Sequence, residues 1–133
     1  MIVTGNGNVG IGTTNPQGRL DVNGSIYQRG SLLHADYVLE PDYRLESIEE
    51  HSKKMWNEKH LPAVSPRRVD EDGREIVDLG DRQRGILEEL ETAHIYIEQL
   101  KRKIEELEKL NQRITNLEEE IEVLKRGTKE NPS

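Results

Sequence analysis

Apolar side chains fall at Ile86, Leu90, Ala93, Ile97, Leu100, Ile104 and Leu107, spaced alternately by four and three, and then at Leu110, Ile114, Leu117, Ile121 and Leu124. That alternation is the heptad pattern of a coiled coil, and it commits the last third of the chain to helices that lay one apolar stripe against another. Between Leu107 and Leu110 the spacing is three where four is due, which equals a three-residue insertion and predicts local overwinding. Keeping the first register would instead bring Asn111, Glu118 and Lys125 into the core. Burying two unpaired charges costs more than a change of phase. With Asp81 as the expected N-cap and Gly127 as a left-handed stop, the rod is expected over residues 81–127, about 45 residues and ~68 Å at 1.5 Å per residue. Residues 128–133 are expected to be a disordered tail.

The a positions are mostly Ile and the d positions mostly Leu, which favours two helices. Arg113-Ile114-Thr115-Asn116-Leu117-Glu118 resembles the Arg-apolar-x-x-apolar-Glu signature of three-stranded coils. There an Arg at g covers core surface with its stem and forks onto the Glu at e of a neighbouring chain. Lys103 to Glu108 is a weaker version, with Lys in place of the planar fork. The heptads leave two and three strands both open. Leu87 and Ile95 stand off the seam at e and f positions, so the middle of the chain is expected to pack back onto that outer face near Met55 or Trp56. Scattered exposed apolar groups are the alternative.

Little core is available to one chain of 133 residues in which apolar types make up 32% and Phe is absent, so stability should come from association. A net charge of -7 opposes a phosphate-binding surface, and nucleic acid is not expected as a partner. Without cysteine there is no disulfide framework and no thiolate metal site. No apolar run approaches the roughly 18 residues that span a bilayer, and Met1 to Asn8 lacks the features of a signal peptide. Export is therefore expected to depend on something outside this sequence.

Residues 1–34 hold most of the glycines and two Asn-Gly pairs. Arg19-Leu20-Asp21-Val22, Asn23-Gly24 and Ser25-Ile26-Tyr27 read as strand, tight turn and strand, and Asn15-Pro16-Gln17-Gly18 as a further turn. Strands this short are marginal alone, so an intertwined β region, a β-helix or prism completed by copies from other chains, is expected. Residues 35–80 read as a small mixed α/β segment. Ser47-Ile48-Glu49-Glu50 fits a capping box opening a helix over about 48–59, with Ile48, Ser52, Met55 and Trp56 inward and Trp56 as the anchor. Pro66 and Asp70-Glu71-Asp72-Gly73 supply turns. The fold class is thus mixed α and β, ending in a coiled coil.

Sites for chemistry are weak. Gly5-Asn6-Gly7-Asn8-Val9-Gly10 satisfies a dinucleotide fingerprint by letter, but four residues cannot supply the strand before it and Ile11 to Pro16 is a poor helix start. His34, His51, His60 and His94 lack the spacing of a metal site within one chain. Glu118-Glu119-Glu120 with Glu122 reads as a solvated face. Neither a catalytic pair nor a cofactor is expected.

Asn8-Val9-Gly10-Ile11-Gly12-Thr13-Thr14-Asn15-Pro16, continuing through Arg19-Leu20-Asp21-Val22-Asn23-Gly24, resembles the end-of-shaft motif of phage and bacterial tail-fibre-like proteins. Ala35 to Leu45, then His60-Leu61-Pro62, then Asp78-Leu79-Gly80, is similar to the C-terminal domain that closes many such fibres ahead of a coiled coil. The resemblance implies a parallel homotrimer, a non-enzymatic part in folding and ending a fibre, and a parent protein on a virion or cell surface that binds a receptor or glycan. Some relatives carry a self-cleaving chaperone with a Ser nucleophile activated by a basic residue. Here no Ser-Asp pair opens the region and the first lysine is Lys53, well past Ser25 and Ser31, so self-cleavage is not expected. A dimeric or heteromeric docking rod is the other reading.

Overall fold

A computed structural model describes residues 1–30 and 33–130; Ser31 and residues 131–133 of the expected tail lie outside them. The fold is mixed, with short strands in two small sheets and a long C-terminal helix, and it divides into two units, Met1–Leu33 and His34–Ser133.

In the first unit β1 (Ile2–Val3) pairs antiparallel with β2 (Val9–Ile11), and β2 pairs in parallel with β3 (Leu20–Val22). Of the segment Gly5 to Gly10 that spells a dinucleotide fingerprint, Gly5 to Asn8 is the turn between β1 and β2 and the rest lies in β2. Thr4 N–H donates to the Asn8 carbonyl at 2.8 Å, and Gly7 takes a φ of +82° that favours glycine. A strand rather than a helix follows it. Each residue of β2 faces the one eleven positions later in β3, and Asn23 closes the corner, its N–H donating to the Ile11 carbonyl at 2.9 Å and its side-chain amide to the Gly12 carbonyl at 3.2 Å. The expected hairpin on Asn23-Gly24 does not form, and Ser25-Ile26-Tyr27 makes no strand. A type I′ turn needs positive φ at both central residues, and of the two only Gly24 has it. Only Gly10 is buried in this unit among the described residues.

In the second unit a 3-10 turn (Asp36–Leu39) leads to α1 (Ile48–Glu58), then to a hairpin of β4 (Arg68–Val69) and β5 (Glu75–Ile76), then to α2 (Leu79–Glu130). The Ser47 hydroxyl accepts from Glu50 N–H at 3.2 Å while the Glu50 carboxylate accepts from Ser47 N–H at 3.0 Å, a complete capping box. Lys59 ends α1 in a left-handed conformation. Trp56 does not anchor this helix: it is 65% exposed, with the Lys59 ammonium 5.8 Å from its ring centre. The inward position belongs to His51, one place round the helix, because the surface it meets on α2 is polar. Asp70 Oδ1 accepts from Asp72 and Arg74 N–H groups and builds the β4–β5 turn, with Gly73 at φ +76°.

The ends of α2 differ from expectation. Asp78, not Asp81, caps it: Asp78 Oδ1 accepts from Asp81 N–H at 2.9 Å, and its carbonyl accepts from Arg82 N–H at 3.0 Å. The Asp81 carboxylate is occupied by Ser65 and Arg84. At the far end the helix runs through Gly127 to Glu130. Gly127 keeps a helical φ, and Lys129 lies in the last turn, where a cation favours the helix dipole. The 52 residues of α2 span ~78 Å.

Candidate assembly surface

Two stripes run along α2, the second over its first half only. One is the apolar seam, whose large side chains from Ile86 to Leu124 are between 49% and 69% exposed. The earlier helix start adds Leu79, seven residues before Ile86 and also exposed. The other stripe is Gly85, Glu89, Thr92 and Tyr96, all buried, on the c and g flank of the heptads. The same alternation of four and three builds both, since the helix period brings each set to one side. Residues 36–65 form a collar on the second stripe and leave the seam bare.

Contact between collar and helix combines the buried apolar Ala35 and Val38 with several polar links. Gly85 admits the collar backbone: a Cβ there would stand 2.3 Å from the Ala63 carbonyl oxygen. Glu89, 8% exposed, accepts from Ala63 N–H at 2.7 Å and lies 3.0 Å from His51 Nε2, while His51 Nδ1 lies 2.9 Å from the Glu46 carboxylate. One imidazole thus joins a carboxylate of the collar to a carboxylate of α2. The ring meets Tyr96 edge-on at 5.5 Å, and Tyr96 Oη donates to the Glu46 carbonyl at 3.0 Å. Burial, with Glu46 and Glu89 nearby, pushes the Tyr96 hydroxyl up to about 12. The hydrogen bond from Lys54, helped by His51 and opposed by burial, holds the Glu46 carboxyl below its usual range.

A second cluster ties down the start of α2. The Tyr37 hydroxyl donates to the Glu88 carboxylate, and Arg84 donates to Tyr37 Oη at 3.2 Å, Glu88 at 3.0 Å and Asp81 at 2.9 Å. Burial and the Glu88 carboxylate raise the Tyr37 hydroxyl. Buried polar groups of this kind hold a geometry only when each finds its partners. Beside them a cleft of about 270 Å³, lined by Tyr43, Glu46, His51, Lys54 and Glu89 among others, opens to solvent.

Leu87 and Ile95, expected under the collar, are half-buried, as is Met55, beside the buried Gly85, Glu89, Thr92 and Tyr96. A search for apolar periodicity passes over that set because only Tyr96 is large and apolar. The available signal was Gly85, a glycine inside a helical pattern. Arg113 and Glu118 are exposed on the bare part of α2. Among the described residues no group of three His, Asp or Glu side chains is arranged to hold a metal, and no helix is long and apolar enough to cross a membrane. Comparison with protein-family models, with curated proteins and with solved structures finds no match to this chain.

Proposed function

We propose that the chain is a structural trimerisation and folding module at the C-terminal end of a tail-fibre-like adhesive protein, joined to two further copies through α2. The observation that carries this reading is the apolar seam, Ile86 to Leu124, left exposed on the flank that the collar does not use. Covering about half of each Leu or Ile side chain is worth ~1 kcal/mol apiece, hence on the order of 10 kcal/mol per chain before the entropic cost of association. Water is a poor solvent for that stripe, and a second copy presents a matching one. The Arg113 and Glu118 pairing pattern and the resemblance to fibre ends favour three strands over two. The first unit fits the same reading, since with Gly10 as the only buried one among its described residues it gains from neighbours what it lacks alone.

In this role the chain registers and ends a fibre and needs no catalytic group; recognition of a surface receptor or glycan belongs to the parent fibre, on a virion or outside a cell. A dimeric docking rod is the second reading, favoured by Ile at a and Leu at d. Light scattering across concentration separates the two. Three times the 15.3 kDa chain mass is expected. Twice that mass, or a single chain at every concentration, would overturn the trimer.

A further inference from the structure

Charges beside the seam carry information about alignment as well as partner. In parallel helices a g position of one chain faces the e position five residues later in its neighbour. With no stagger, Lys103 meets Glu108, Arg113 meets Glu118 and Glu120 meets Lys125 of the next copy, so all three are attractive. A slip of one heptad towards the N-terminus brings Lys103 against Lys101 and Glu120 against Glu118 of that copy. A slip the other way brings Arg113 against Lys125. Each one-heptad slip also sets the break between Leu107 and Leu110 against a regular stretch of its neighbour's seam. Like charges facing each other penalise the wrong alignment, which a uniform apolar stripe cannot do.

The collar decides which pairs are available. Glu89 and Tyr96, the g positions of the upper heptads, are buried against residues 36–65 and are withdrawn from pairing between chains. The six side chains below are exposed, and among the described residues none makes an ion pair within its own chain; the ion pairs on this stretch are Lys101 with Glu105 and Arg102 with Glu98.

We infer that, in a parallel assembly, these three g-to-e pairs set α2 of each copy level with α2 of the next, and so hold the collars of the assembled copies at one height. The inference rests on self-association through the seam. Its test uses the full chain as Lys103→Glu, Glu108→Lys and the two combined, with association followed by sedimentation equilibrium and helix content by circular dichroism. Each single change replaces attraction by repulsion at every helix interface and is expected to weaken association about tenfold, and the combination to restore it to within about twofold. Helix content of the assembled state should not change, since both side chains are exposed. If the combined variant stays as weak as the single ones while the unmodified chain associates, the level alignment is wrong and self-association stands. If the unmodified chain never associates, the seam reading fails and takes the alignment with it.

Discussion

At Gly85 two effects of adding a methyl group oppose each other, and their magnitudes predict the sign. In a free helix Ala is better than Gly by about 1 kcal/mol. Here the new Cβ would meet the Ala63 carbonyl at 2.3 Å, and backbone cannot yield as a flexible side chain does. Forcing such contacts typically costs about 1–3 kcal/mol. Gly85→Ala should therefore destabilise the collar on balance, seen as faster amide exchange over residues 36–65 with α2 below Tyr96 unaffected; slower exchange would show that the collar does not seat there. The titrating groups make a second prediction. Glu46 has a depressed folded value, so its contribution is present above its unfolded value and is lost as pH falls through the folded one. Tyr96 has a raised value, so its contribution is full below about 10 and is lost as pH rises towards about 12. Protection of the collar amides, relative to their intrinsic exchange at each pH, should thus fall at both ends, and absorbance of tyrosinate should show Tyr96 titrating late, with Tyr37 and Tyr43 also raised.

At the scale of elements, the two ends of α2 separate the structural assignment from the sequence expectation. Asp78→Ala removes the cap and should cost ~1 kcal/mol of helix stability. Gly127→Ala should stabilise, since the residue is helical; a left-handed stop would have given the opposite sign. Thermal melts of the two variants check both. The long helix and the capping box at Ser47 were legible because each rests on local spacing. The collar contact was not, because it joins residues far apart in sequence through groups whose types look solvated: Glu89, His51 and Glu46 read singly as surface charges. Trp56 misled for the converse reason. Its size suggested an anchor, but α1 meets a polar flank, and the His51 ring places a nitrogen within 3.0 Å of each of two carboxylates, whereas an indole, with one ring nitrogen, could reach only one. Asn23-Gly24 shows a similar override, in which a local hairpin signal yields to parallel pairing with a strand eleven residues earlier.

For the whole molecule, the seam and the collar flank make separable demands. A charge in the seam should abolish association and spare the collar, whose contacts are made within one chain. Ile104→Asp is accordingly expected to reduce the scattering mass to one chain, while late titration of Tyr96 persists. Loss of both together would mean that the collar itself depends on neighbouring copies. The length of α2 also governs how the protein moves through a solvent. A compact chain of this size has a radius of gyration of ~14 Å, whereas this one helix extends ~78 Å. Friction follows the long dimension, so even a single chain will elute from a gel-filtration column ahead of compact proteins of equal mass. Retention alone can make one chain pass for several; sedimentation and diffusion coefficients measured together cancel the drag and return the number of chains.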